Sequence, residues 1–299
     1  MANLHDIRQR IKATRSMGKI TKAMQMVAIS KMKHAQQAAL DGIPYADMLN
    51  DILTQVTRHV GAYRHGLMEE RNGPRKLNIL VGTDRGLCGS LNTNIFREVA
   101  GDDPRETLYV TLGSKAAQFV RKTGRQLIVD FDYGDPPKLS QARLVCRFVT
   151  QLFLDDEIDS ANIIFSNFVS TFKQMPLTWR FLPAGQSQEY FDLMPDPVKR
   201  TRIADGENSV QGIAEFDFEP DVHTVYESLL LHTLDHQLLQ IMREVRASEH
   251  SARMVSMKQA SDNAKEMDEK LQLIHNNLRQ ASITAELLEL GSAAGAEGS

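Results

Sequence analysis

Between Asp221 and Leu290 the chain contains neither proline nor glycine. Nothing else in the sequence restricts the fold as much. The two residues that interrupt helices most often are missing, and at ~1.5 Å per residue about 70 helical residues reach roughly 100 Å. A 299-residue chain does not fold into a compact domain of that diameter, so much of this helix is expected to lie outside any globular core. Leu231, Leu234, Leu238, Ile241, Val245, Ser248, Ala252 and Val255 alternate by three and four, the pattern of a coiled-coil seam. Met267, Leu271, Ile274, Leu278, Ala281, Ala285 and Leu288 resume it one residue out of step. The shift falls in SMKQASDNAKE, where a local change of supercoil is expected. The ending GSAAGAEGS, residues 291–299, has nothing to bury and is expected to be disordered.

A second helical zone opens the chain, over residues 1–60. Leu4, Ile7 and Ile11, then Met17, Ile20, Met24 and Val27, recur at helical spacing and predict one apolar face. Gly42 and Pro44 predict a bend or break, after which YADMLNDILTQVTRHV resumes the pattern. Residues 75–215 alternate strand and helix: LNILVG, LYVTL, RQLIVDF and ANIIFSNFV read as strands, with MPLTWRFL a further candidate. Such alternation predicts a Rossmann-like α/β domain with a mostly parallel sheet. The helix over 220–290 then returns alongside the first as an antiparallel pair, and being longer it is expected to project alone at one end.

The first helix carries the most unusual charge distribution. The formal net charge is only −3, yet no Asp or Glu lies between Asp6 and Asp41, while Arg8, Arg10, Lys12, Arg15, Lys19, Lys22, Lys31 and Lys33 do. A solvated face, a nucleic acid or an acidic protein partner would each answer that charge. Nucleic acid fits poorly, because residues 1–44 contain no Phe, Tyr or Trp to stack on a base and the apolar stripe asks for a helical partner. The methionines (Met17, Met24, Met26 and Met32, then Met242, Met254, Met257 and Met267) either fill a coiled-coil core or form an adaptable contact surface. Two cysteines form no disulfide framework, no segment has the length of a membrane span, and no secretory or transit segment is recognisable; a bacterial cytosolic chain is expected.

A search for catalytic chemistry returns little. GTDRGLCGSLN, Gly82–Asn92, stands between a predicted strand and helix, where glycine-rich turns cradle phosphate. Its glycine spacing is neither G-x-G-x-x-G nor a P-loop, and packing glycines fit better. His232 and His236 in HTLDH sit one helical turn apart. No catalytic Glu and no third ligand accompany them, so they read as a polar flank of the coil. Cys88 has no sequence-linked histidine and reads as a packed thiol. A stiff helical pair on an α/β base without a catalytic constellation suggests a mechanical or scaffolding role. The alternatives are a nucleotide-dependent enzyme with a dimerisation arm and a scaffold that does not rotate.

Four segments, IRQRIKATRSMGKITKAMQMVA, GTDRGLCGSLNTN, SEHSARMVSMKQASDNAKE and RQASITAELLEL, resemble the γ subunits of F-type ATP synthases, in the same order and from about residue 3 to 290. The resemblance implies a rotor shaft that turns inside a hexamer of α and β subunits and couples ion-driven c-ring rotation to conformational change at catalytic β sites. It implies that the α/β domain meets the ε subunit and the c-ring. It implies no catalytic residue, cofactor, metal or nucleic acid on this chain, and peripheral attachment at the cytoplasmic face of the bacterial inner membrane. Carried over by motif, Met24, Arg253, Arg279, Gln280 and Thr284 are expected to meet or support contact with β, whose acidic lever segment suits the basic helix. Phe216 and Phe218 are expected near the ring or ε. The chain departs from the family pattern at Gly18, an expected soft point, and in its terminal tail. It has no paired cysteines for a thiol switch.

Overall fold

The computed structural model describes residues 4–60, 63, 65–71, 73–104, 106–184 and 217–297, with side chains described to residue 288. Helix α1 spans Leu4–Val60, and a short 3-10 turn follows at Gly66–Met68. Then come β1 (Lys76–Val81), α2 (Leu91–Glu98), β2 (Thr107–Leu112), α3 (Ser114–Lys122), β3 (Gln126–Phe131), α4 (Leu139–Leu154), β4 (Ser160–Phe168) and β5 (Gln174–Leu182). Helix α5 spans Val222–Glu297. The chain divides into two compact units, residues 29–253 and residues 1–28 with 254–299, and each long helix contributes to both.

In the larger unit the strands form one sheet in the order β3-β2-β1-β4-β5. β1 runs parallel to β2 and β4, and β2 to β3; only β5 is antiparallel, paired to β4 with Trp179 opposite Ile163. The α/β class and the mostly parallel sheet hold, with MPLTWRFL as the antiparallel edge. β1, buried from Leu77 to Val81, shows the continuous apolar run of a strand covered on both faces. Over one face pack α4 (Val145, Val149, Phe153), α1 (Leu53, Val56, Val60) and α5 (Leu234, Leu238, Ile241, Val245). Over the other, α2 and α3 bring Ile95, Val99, Ala116 and Val120 onto Leu80, Tyr109 and Ile164, and Phe96 stacks on Phe119 at 4.2 Å. Each fully buried side chain of this size contributes about 1.5–3 kcal/mol.

Two helix boundaries differ from expectation. α1 does not break at Gly42–Pro44; it runs through with Pro44 inside. An interior proline costs about 3 kcal/mol. Burial of Ile43, Ala46, Leu49, Leu53, Val56 and Val60 offsets it, and the carbonyl deprived of its donor belongs to the exposed Leu40. A Cβ at Gly42 would meet only the far ends of the Arg243 and Gln240 side chains, which are flexible, so the approach of α5 to α1 does not itself demand glycine there. Helix α5 continues past Leu290 to Glu297, through the segment expected to be a disordered tail. Ala293, Ala294 and Ala296 are strong helix formers. At its start Asp221 caps the helix, accepting hydrogen bonds from the backbone N–H groups of His223 and Thr224 at 2.9 and 3.0 Å.

The smaller unit is an antiparallel helical pair whose partners run in opposite order: Arg8 meets His275, Arg15 meets Asp268, and Gly18 faces Ala264. The seam matches the predicted one only in part: Leu4, Ile7, Ile11 and Met24 on α1 and Leu271 and Leu278 on α5 face inward as expected, and the other predicted positions from Met17 to Val27 and from Met267 to Leu288 do not. On α1 the buried and half-buried positions are Leu4, Ile7, Ile11, Thr14, Gly18, Thr21, Met24, Gln25 and Ala28; on α5 they include Met257, Ser261, Ala264, Asp268, Leu271, His275, Leu278 and Ser282. Strict three-four alternation from Ile11 leads to Thr14, Gly18 and Thr21, whereas the predicted face jumps from Ile11 to Met17. Met17, Ile20 and Val27 are more than half exposed, as is Met267, and Ile274 is 43% exposed. Small residues occupy the middle of the seam, where a Cβ on Gly18 would lie at ordinary contact distance, 3.5 Å, from the Ala264 Cβ.

Candidate functional site: the carboxyl ends of the strands and the outward face of the helical pair

In open α/β sheets the crevice at the carboxyl ends of the strands, where strand order reverses, is the usual ligand site. Here that region lies beside the turn after β1, and side chains from α5 lie across it. Arg246 Nη2 donates to Asp84 Oδ2 at 2.7 Å, Nη1 to Glu249 Oε2 at 2.6 Å and Nε to the Gly134 carbonyl at 3.2 Å. Its guanidinium sits 3.9 Å over the Tyr133 ring, and the Tyr133 hydroxyl donates to the Gly82 carbonyl at 2.8 Å. Burial opposes the charge on Arg246, and Tyr133, Glu249 and Asp84 outweigh that, so the group is held protonated more firmly than usual. Ser248 and Ser251 donate to the carbonyls of Ser166 and Thr171 at 3.1 and 2.6 Å, fastening α5 to the end of β4 and the turn beyond it.

A second chain of contacts extends this one. Arg253 donates to Glu249 Oε1 at 2.6 Å, to the carbonyls of Gly86 and Arg85 at 3.4 Å, and to His250 Nδ1 at 3.3 Å. Arginine only donates, so His250 Nδ1 accepts and its Nε2–H faces Asp135 Oδ2 at 3.1 Å. Lys31, from α1, reaches the same oxygen at 2.8 Å. The His250 hydrogen bond, more than Lys31, holds the Asp135 carboxyl well below the usual carboxylate range against the opposing effect of burial. α1, the β3–α4 loop and α5 are therefore joined within the larger unit by the Lys31–Asp135 ion pair and by the hydrogen bonds of His250 and Arg246 to the loop.

The turn itself does not present a phosphate cradle. The Thr83 backbone N–H is taken by Asn92 Oδ1 at 3.2 Å, and Asn92 Nδ2 donates back to the Thr83 hydroxyl at 2.7 Å. Asp84 accepts from the Ser114 N–H at the start of α3, placing a negative charge where an anion would approach. Gly82 is a packing glycine, since a Cβ would crowd Ala116 at about 3.0 Å. Gly86 and Gly89 are not, because a Cβ at either would meet nothing within 4 Å; Gly89 is required instead by its positive φ of 60°. Cys88 is buried, and that burial raises its thiol pKa, the opposite of an activated nucleophile. Among the described residues no group of three His, Cys, Asp or Glu side chains gathers to hold a metal, and no helix is long and apolar enough to cross a membrane.

The residues singled out by motif fall in different places. Met24 is half-buried on α1. Arg279, Gln280 and Thr284 are exposed on α5, with the Thr284 hydroxyl donating to the Gln280 carbonyl at 2.9 Å. Arg253 belongs to the larger unit, and its guanidinium is occupied by Glu249 and the turn after β1. Phe218 packs against the core of that unit with its ring 5.7 Å from His59, and Phe216 lies outside the described residues. Sequence reasoning missed the cluster of Asp84, Asp135, Arg246, Glu249 and His250. Its signal was present: Arg246, Glu249 and Arg253 are spaced by three and four, the spacing that pairs opposite charges on a helix.

Comparison with known proteins decides what this arrangement is. The ATP synthase family model matches residues 3–296. ATP synthase gamma chains from Opitutus terrae and Akkermansia muciniphila are 36% and 38% identical, each alignment covering 98% of both chains. The chain belongs to the ATP synthase gamma-chain family. Among solved structures it resembles a chain of the mitochondrial ATP synthase OSCP/F1/c-ring assembly of Euglena gracilis, with a TM-score of 0.65 at 18% identity over 98% of this chain and 94% of that one. A rotor chain from the same organism gives 0.60 at 16% identity, covering 94% of this chain and 98% of that one. At such identities the likeness supports the shared fold.

Proposed function

We propose that this gamma chain is the central rotor shaft of an F-type ATP synthase, coupling c-ring rotation to conformational change at catalytic β subunits, and that it catalyses nothing itself. The observation that carries this reading is the inverted helical pair. Its seam mixes small residues (Thr14, Gly18, Thr21, Ala28, Ser261 and Ala264) with Leu4, Ile7, Ile11, Leu271 and Leu278, while Met17, Ile20, Val27, Met267 and Ile274 face outward. Large apolar side chains on an exposed helical surface mark a protein interface, and a hexamer of α and β subunits around the pair supplies one. Methionine, which repacks at little cost, suits a shaft that must meet successive subunits in turn.

The remaining geometry supports the same role. The crevice at the strand ends is crossed by Arg246, Glu249 and Arg253, which weighs against a nucleotide there. The same contacts fix the long helix to the α/β body, as torque transmission requires. Met24, Arg279, Gln280 and Thr284 are the proposed contacts with β. Arg253 supports that contact by holding the helix, and Phe216 and Phe218 are proposed to serve the contact with ε or the c-ring. The proposed location of the complex is the cytoplasmic face of a bacterial inner membrane, with this chain peripheral.

Co-expression with the α and β subunits of the same source tests the proposal. A soluble complex with one copy of this chain, whose ATPase activity is lost when the chain is omitted, is the expected result. A chain that purifies alone, beside a hexamer indifferent to it, overturns the assignment.

A further inference from the structure

Outside the ionic cluster, the described residues of the larger unit bring together a group of metal-ligating side chains that the shaft function does not use. His232 and His236 lie one turn apart on α5, and Tyr45 of α1 comes against both. The Tyr45 hydroxyl is 2.8 Å from His232 Nε2. The His236 ring lies 4.6 Å from the Tyr45 ring and 4.6 Å from the His232 ring, centre to centre. Neither nitrogen of His236 has a hydrogen-bond partner among the described residues. The sequence pair lacked a third ligand; α1 brings an oxygen from 187 positions away in the chain.

We infer that His232, His236 and Tyr45 form a binding site for a late first-row divalent transition ion such as Cu2+ or Zn2+. Two imidazole nitrogens about 2.0–2.1 Å from one ion place their ring centres roughly 4.5–5 Å apart, and the observed separation falls in that interval. Adjacent ligand atoms around such an ion lie about 3 Å from each other, close to the Tyr45 oxygen to His232 nitrogen distance. The two histidines stand on one continuous helix, so their spacing costs nothing to organise. The ion replaces the hydroxyl proton of Tyr45: two imidazole lone pairs and one phenolate oxygen bind the metal, and one proton leaves to solvent. The hydrogen bond between α1 and α5 becomes a coordination bond, which stiffens the pair within the larger unit.

The full-length chain titrated with Cu2+ alone and with Zn2+ alone is the test, read by calorimetry and by absorption of the copper form. One ion per chain is expected, with proton release and a phenolate-to-copper charge-transfer band. His236→Ala and His236→Gln are each expected to weaken binding by about tenfold or more; the second variant keeps a polar side chain of similar size in case the first unfolds. Tyr45→Phe is expected to retain the ion more weakly and lose both the band and the released proton. Binding weaker than about 100 µM, or binding unchanged in both His236 variants, overturns the site. A band that survives Tyr45→Phe overturns the phenolate as its third ligand.

Discussion

Helix α5 carries two stretches of the same three-four repeat with opposite meanings. From Leu234 to Val245 the apolar positions are buried, and Leu238, Ile241 and Val245 have no exposed surface. From Met257 to Ser282 the repeat persists, but most of its inward positions are serine, alanine, aspartate or histidine, and Met267 and Ile274 look outward. The first stretch is core, placed by the α/β domain that closes over it. The second pairs with α1 through small and polar residues together with Met257, Leu271 and Leu278, and leaves Met267 and Ile274 for something else. A periodic apolar pattern reports which residues avoid water in the working assembly, and only packing tells whether the chain itself or a partner covers them.

That contrast can be attacked most severely at the junction holding the core stretch in place. Arg246→Ala leaves Glu249 buried without its Arg246 partner and Asp84 uncompensated, and breaking such a buried set costs about 3–5 kcal/mol. Chemical denaturation of the isolated chain measures it; a loss below about 1 kcal/mol means that the cluster does not fasten α5. Leu238→Ala, in the core stretch, is expected to cost about 2–5 kcal/mol. Met267→Ala, in the other stretch, is expected to stay within about 0.5 kcal/mol on the same protein. Equal losses at the two positions erase the distinction between core and interface.

Acid probes the same junction more gently. Because the Asp135 pKa is depressed in the fold, its contribution is fully present above the unfolded carboxylate pKa. That contribution is lost as pH falls through the depressed value. Urea midpoints measured from about pH 6 to pH 3 are therefore expected to fall more in the parent chain than in Asp135→Asn; parallel curves remove Asp135 from the junction. The smallest effect lies in the seam. A Cβ at Gly18 meets Ala264 at ordinary contact distance, so Gly18→Ala is expected to stabilise the pair by about 0.5–1 kcal/mol, seen as a melting shift of about 2 °C. A decrease shows that the helices pack more tightly than described. Gly18 is soft in propensity only, and the close approach that it permits would survive alanine.

How far the fold could be read depended on whether burial and hydrophobicity agreed. They agree in β1, in α4 and in Leu234–Val245, and there strand, helix and core position follow from pattern alone. They part at Pro44, where tertiary burial overrides a local breaker, and in the smaller unit, where Thr14, Gly18 and Thr21 hold the seam and Met17 does not. The cluster around Arg246 was invisible for another reason. Asp84 and Asp135 are brought to it by strand topology, from far away in the chain, and one sequence does not encode that proximity in any local pattern. Tyr45 beside His232 and His236 is the same case, with the added obstacle of an expected break in α1 one residue away.

The central claim is that the outward apolar face of the helical pair is an interface rather than an exposed error. One variant, Met17→Ser with Ile20→Ser and Val27→Ser, tests it when the isolated chain and its assembly with α and β subunits are measured side by side. The expected result is an isolated chain that melts as the parent does and a complex that assembles poorly or hydrolyses ATP without this chain's control. An isolated chain that unfolds, or a complex indistinguishable from the parent's, contradicts it.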